Sequence, residues 1–306
     1  MLLCLYVNEN ILKVLRSKLL SKTSLENLPE TVWMKVGAVN TWGTNALEGN
    51  TLTLSEVEDV LFNNRSPKNR PVTDVTETIQ HYAAFKNLMK HTAVPITLET
   101  VLELHETVFR GVYEHAGRWR WWNVAIRGSK HTPPRYEKIV PMMEDWLGEY
   151  TRRIAQGEGV FPLGAWMHHR FETIHPFGDG NGRVGRLLLN LHFLKHSWPP
   201  VHILEPEKST YKLMLEEGTD KGGDVRRLTD FLEIQMAKSL LDILDQVGTS
   251  EDELKPLKSI AEDAPYSANY LTLRAGQGEL PALKVKHRLL TSRRAVGLYR
   301  EFVGRQ

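Results

Sequence analysis

Apolar residues recur at intervals of three and four through most of the chain, the spacing that gives a helix one buried face. Ile11, Val14, Leu15 and Leu19 mark a first helix over 8 to about 20, and residues 24–29 break it. A second helix is predicted from Glu30 to Leu47, closing at Gly49 and Asn50, residue types that accept the left-handed conformation that ends helices. Ser55-Glu56-Val57-Glu58 reads as a capping box opening a helix through Phe62, and 63–71 as a polar loop. Helical spacing returns over 75–89, 98–112, 142–155, 162–174, 190–198 and 228–247, so the predicted fold class is all-α. One segment changes period: over 119–134 aromatic and β-branched residues alternate with polar ones and run into turn residues, which predicts a hairpin.

The chemistry concentrates where one helical stretch gives way to the next, at His175-Pro176-Phe177-Gly178-Asp179-Gly180-Asn181-Gly182-Arg183-Val184-Gly185-Arg186. Glycines before a helix let successive N–H groups point at one anion, assisted by the positive end of the helix dipole. Arg183 and Arg186, three apart, share a helix face and suit further phosphates; Asp179 is a hard oxygen ligand for Mg2+ on a polyphosphate; His175 can take a proton near neutral pH. Gly180, Gly182 and Gly185 also match a dinucleotide fingerprint, with Glu205 at the ribose-binding distance, but that motif follows a strand, and 165–174 reads as a helix. No Walker loop occurs. A plain helix cap is the bland reading, and it asks for none of these His, Asp, Asn and Arg residues.

This loop resembles the active-site motif of the Fic family, HPFx[DE]GNGRxxR, and matches every specified position. Fic proteins are mainly helical enzymes, most of which transfer AMP from ATP to a hydroxyl side chain of a target protein. The resemblance implies that His175 is the base that deprotonates the target hydroxyl and that Asp179 holds Mg2+ between the α- and β-phosphates. Gly180, Asn181 and Gly182 would form the anion hole, Arg183 would contact the β/γ-phosphates, and Arg186 the γ-phosphate. Tyr211 opens the region that lies against adenine. The predicted hairpin corresponds to the family's flap, which docks the target peptide as an added strand, with Lys130, His131 and Thr132 nearest the loop. Thr44-Asn45-Ala46-Leu47-Glu48-Gly49 resembles the inhibitory motif [ST]xxxE[GN]; by itself Glu48 is a carboxylate at a helix C-terminus, but the resemblance pairs it with Arg186 and implies a self-inhibited enzyme. The same site also suits removal of AMP from targets, with Glu48 positioning water.

With 306 residues, a formal charge of +2 and a pI near 8.5, the chain is long enough for about two domains and is no global polyanion binder. The single Cys4 excludes an internal disulfide and fits a cytoplasmic location. The apolar start over 1–7 is too short for an anchor and reads as a packed terminus, and no run is long enough to span a membrane. His192 and His196 lack the Glu and third ligand of a zinc site; His81 and His105 read as scaffold. Residues 1–247 are expected to form the catalytic domain, with the inhibitory helix at about 30–49, and polar residues 248–255 a linker. Over 256–306 the charge turns basic, with eight Lys/Arg against Glu279 and Glu301 from 266 onward. Short helices around 267–276 and 292–303, with strand-like 282–285 and 289–291 between them, resemble a small winged helix-turn-helix of excisionase type. In that reading 267–274 reads a DNA groove and 284–288 is the wing, making a DNA-associated regulator the competing function. Homodimerisation stays open.

Overall fold

The computed structural model describes residues 7–126 and 128–304; the expectations for Cys4 and the extreme apolar start, for Arg127 in the predicted hairpin and for Arg305 in the basic tail lie outside them. Most helices follow the apolar spacing: α1 (Glu9–Lys22), α2 (Glu30–Leu47), α3 (Leu54–Phe62), α4 (Val72–His91), α5 (Leu98–Phe109), α6 (Ile139–Ala155), α7 (Val160–Ile174), α8 (Asn181–Lys195), α9 (Lys208–Asp220) and α10 (Arg226–Val247), with α8 starting well before the expected 190 and α9 standing where no helix was expected. Their starts are set by local chemistry. Asn8 caps α1, its side chain accepting from the N–H of Asn10. The capping box of α3 sits at Thr53, not Ser55: Thr53 Oγ1 accepts from Glu56 N–H, and Glu56 accepts in return from Thr53 N–H at 2.8 Å. Thr53 and Ser55 both offer the same spacing, and Arg70, paired with Glu56 at 2.8 Å, favours the earlier box.

The chain divides into two units. One comprises Met1–Val32, Ser197–Val201 and Asp230–Gln306. In it α1 buries Ile11, Leu12, Leu15 and Leu19 and packs against α13 (Arg293–Phe302). Between α10 and α13 run β1 (Lys255–Pro256), α11 (Leu257–Glu262), α12 (Ala268–Gly276), β2 (Leu283–Val285) and β3 (Arg288–Thr291), with antiparallel sheet order β1-β3-β2. The stretch expected as a linker belongs to this unit and is bolted down. Asp252 is buried, accepts from Thr249 and pairs with Arg294, while Leu254 N–H donates to Asp245.

The other unit comprises Trp33–His196 and His202–Thr229. Its centre is α7 against α8, flanked by α4, α5 and α6, with Met143, Trp146, Phe171, Leu187, Leu188 and Leu191 fully buried. Trp146 donates its indole N–H to the Met167 carbonyl at 3.0 Å, which settles the one polar atom of that core ring. His192 is spent in the same way: Nε2 faces the Val160 carbonyl at 2.8 Å and Nδ1 the Tyr150 hydroxyl at 2.9 Å. Among the described residues no His/Cys/Asp/Glu cluster is arranged to hold a metal by itself, and no helix is long and apolar enough to cross a membrane.

The predicted hairpin is a correction. Residues 119–134 form a flap with a turn at Ile126 to Ser129, but no strand ladder among the described residues. Arg120, buried amid the aromatic run, ties the flap down instead, its guanidinium donating to the carbonyls of Trp122 (2.9 Å), Pro134 (2.6 Å) and His175 (2.8 Å).

Candidate active site

α7 ends at His175, whose backbone adopts the left-handed conformation (φ 53°, ψ 60°) and so turns the chain out of the helix into the loop. The loop is then clamped from both sides. Phe177 is fully buried, stacked on His105 (3.8 Å) and Trp119 (5.0 Å). Asn181 locks the same residue by reciprocal bonds, Oδ1 accepting from Phe177 N–H (2.8 Å) and Nδ2 donating to its carbonyl (2.9 Å). His105 accepts from Gly117 N–H on Nδ1 (2.8 Å), which makes Nε2 the donor to the Asp179 carbonyl (3.1 Å). Gly180 follows at φ 80°, with the Phe109 ring where a side chain would stand, so this position requires glycine. α8 starts at the next residue with no capping side chain, which leaves its first N–H groups to a ligand.

That helix start faces a cavity of about 580 Å3, of a size for a nucleotide, lined by Glu48, Gly128, His131, Glu172, His175, Asp179 to Gly182, Arg186, Tyr211 and Lys212 among others. His175 Nδ1 lies 3.3 Å from the Glu172 carbonyl, an arrangement that leaves Nε2 as the basic nitrogen. Burial draws its pKa down to about 4, with Arg120 and His131 adding and Glu48 opposing, so the ring is neutral at pH 7 and able to accept a proton. Asp179 is exposed in its side chain and lies 3.8 Å from Arg183. One carboxylate is a poor cage, but Mg2+ binds through one or two carboxylates together with phosphate oxygens and water, so the donor set fits a metal brought by a polyphosphate.

The two arginines part company. Arg186 lines the cavity, while Arg183 is buried behind the loop, its Nη1 2.7 Å from Glu77 and its guanidinium 4.4 Å over Phe109. Arg186 donates from Nε to Thr44 Oγ1 (2.5 Å) and from Nη2 to the Thr44 carbonyl (3.2 Å) and Glu48 Oε1 (2.6 Å). Burial opposes the charge on both partners, yet Arg186 holds the Glu48 carboxyl below its ordinary range, with help from Arg183 and Lys212, and Glu48 raises Arg186. Glu48 also stands over the anion turn, because a Cβ on Gly182 would collide with its Oε1.

Of the other predicted residues, His131 lines the cavity and its Nε2 faces the Thr173 carbonyl at 2.8 Å, whereas Lys130 and Thr132 are exposed outside the lining. Tyr211 is buried, its hydroxyl 2.6 Å from His168 Nε2. Sequence reasoning missed Arg120, Glu77 and Glu172 and read His105 as scaffold alone. The signal for Arg120 was a lone charge inside Trp-Arg-Trp-Trp; Glu77 and Glu172 carried none, since each is one more Glu on an amphipathic helix.

Fold and site together define a helical domain in which a glycine turn offers an anion site beside a neutral histidine, with a carboxylate in the anion's place. The Fic/DOC family model matches residues 95–193, and the chain contains a Fic domain. It is 29% identical over 196 residues to a protein adenylyltransferase Fic of Nematostella vectensis (62% of this chain, 44% of that one) and 31% identical over 194 residues to that of Drosophila grimshawi (61% and 38%). The chain thus spans less than half the length of these curated relatives. Its fold resembles a Fic domain containing signaling protein from Bacteroides thetaiotaomicron (TM-score 0.70, 25% identity, 78% of this chain and 99% of that one). A Fic family protein from Desulfovibrio desulfuricans also shares it (TM-score 0.66, 22% identity, 90% and 86%).

Proposed function

We propose that this chain is a protein adenylyltransferase whose site is held shut by Glu48. The observation that carries the reading is the neutral His175 beside the uncapped start of α8, in a cavity where Arg186 is already neutralised by a carboxylate. Named adenylyltransferase relatives supply the reaction class. A Ser, Thr or Tyr hydroxyl of the target would give its proton to His175 Nε2 as its oxygen attacks the α-phosphorus of ATP; the bond from that phosphorus to the bridging oxygen breaks and pyrophosphate leaves. The first amides of α8 would receive charge building on the phosphate oxygens, and Arg186, freed from Glu48, the terminal phosphate. Mg2+, held by Asp179, would supply further charge neutralisation. The flap with His131 borders the cavity where a target segment must approach.

Labelling with ATP carrying α- or γ-label, in wild type and His175→Ala, tests this. Transfer of α-label alone, lost in the variant, is expected; transfer of γ-label would make the protein a kinase and end the proposal. Release of AMP from a modified target without forward transfer would reverse its direction.

A second reading concerns the C-terminal elements of the other unit. The order α11, α12, β2, β3, α13 suits a winged helix-turn-helix, and the exposed Lys284, Lys286 and Arg288 lie on the β2-β3 wing. Arg274 on α12 is instead held by Glu279 at 3.2 Å, so the wing is the stronger candidate for phosphate contacts. Duplex binding by the full chain that weakens steeply with salt, and less steeply after charge removal on the wing, is expected; binding indifferent to salt would exclude it.

A further inference from the structure

Glu172 lies on α7, one turn before His175, and the chemistry above makes no use of it. Its Oε1 is enclosed and has no hydrogen-bond partner, although the side chain lines the nucleotide-sized cavity. Its seat is supplied by Gly185, where a Cβ would come within 2.5 Å of that oxygen. Glu48 has a matching seat over Gly182. Two of the three glycines that imitate a dinucleotide fingerprint therefore make room for two carboxyls on α8, and both lie within electrostatic reach of Arg186. Only the Glu48 carboxyl is bonded to it. Burial, opposed by Arg186 and assisted by Glu48, pushes the Glu172 carboxyl up to about 7.

The asymmetry matters when Glu48 moves. Arg186 is 8% exposed in its side chain, and a guanidinium so placed is costly to leave without an anion. We propose that Glu172 is a positioning residue of the nucleotide site, the carboxyl that takes over Arg186 when Glu48 is withdrawn and keeps its guanidinium aimed at the incoming phosphate. Gly185 stays bare to seat it. Because Glu172 stands over Gly185 and not over Gly182, it holds Arg186 without occupying the anion turn as Glu48 does. The inference rests on the reading that Arg186 receives the nucleotide's terminal phosphate.

The test is a double-mutant cycle in the full chain: wild type, Glu48→Gly, Glu172→Gln, and the two together, with Glu172→Ala as a second replacement. Gln keeps the shape of the seat and removes its charge. In the absence of nucleotide, Glu172→Gln is expected to cost little while Glu48 is present, and the double variant to melt roughly 4 °C or more below the sum of the single shifts. In the Glu48→Gly background the same change should raise KM for ATP about tenfold while kcat moves far less, as expected for a lost charge-assisted contact away from the reacting phosphorus. Additive melting shifts would overturn the proposal, as would an unchanged KM. If the Glu48→Gly chain transfers no label at all, the adenylyltransferase reading fails, and the melting cycle still decides whether Glu172 takes over Arg186.

Discussion

If the proposed function holds, replacing Glu48 by glycine should raise AMP transfer, and the structure sets the size of the effect. Glu48 follows the last residue of α2, so the change leaves the helix intact, and the bond from residue 48 N–H to the Asn45 carbonyl (3.0 Å) belongs to the backbone. What is lost is one charge-assisted bond, 2.6 Å long, between an arginine 8% exposed and a glutamate 38% exposed in its side chain. Such a bond is worth about 1.5–3 kcal/mol when buried and under about 1 kcal/mol at the surface. This pair lies between, at about 2 kcal/mol, a factor of roughly thirty. ATP must break it to reach Arg186, so kcat/KM for ATP should rise by that factor, with a smaller gain at saturating ATP. The variant leaves both Thr44 acceptors of Arg186 in place on α2. Glu48→Gln, which retains shape without charge, should release part of the inhibition. The assay is initial-rate self-labelling with α-labelled ATP across ATP concentrations; a change under about twofold in both variants would refute the lock.

Three further outcomes follow from the same geometry. Arg120→Ala strands the carbonyls of Trp122, Pro134 and His175, which should lower stability by about 3 kcal/mol or more and abolish transfer; Arg120→Lys should not rescue it, since an ammonium cannot fork to all three. Gly180→Ala, with φ 80° and the Phe109 ring in the way, should cost about 1–3 kcal/mol, read as a drop of several degrees in Tm, and an unchanged Tm would contradict the required left-handed turn. For pH, burial depresses His81, His168 and His192 to about 3 and His105, His169 and His175 to about 4. Depressed histidines stabilise above about 6.5, and that contribution is lost as pH falls toward their folded values. Glu172 and Glu233, both raised to about 7 chiefly by burial, act oppositely and lose their contribution as pH rises through 7. Six groups outweigh two, so Tm should be higher at pH 7 than at pH 5; the reverse order would show that the histidines are not neutral in the fold.

What the chain alone determined is whatever rests on local rules. Helical spacing of apolar residues placed α2 to the residue and most other helices within a turn or so, because burial of one face depends on period and little else. The glycine turn, His175, Asp179 and Arg186 were legible as an anion site because their chemistry is written in consecutive positions, and Glu48 was legible through a motif as local as theirs. Tertiary structure decided which of these residues meet. Thr44 and Glu48 lie about 140 positions from Arg186, and only packing brings three bonds together on one guanidinium. It separated two arginines that looked equivalent, burying Arg183 against Glu77 and leaving Arg186 in the cavity. It left the flap without a ladder, since alternation records a preference for strands but not the contacts of a buried Arg120 with the Trp122 and Pro134 carbonyls. It also gave Glu172 a seat over Gly185, a relation between two helices that no periodicity contains.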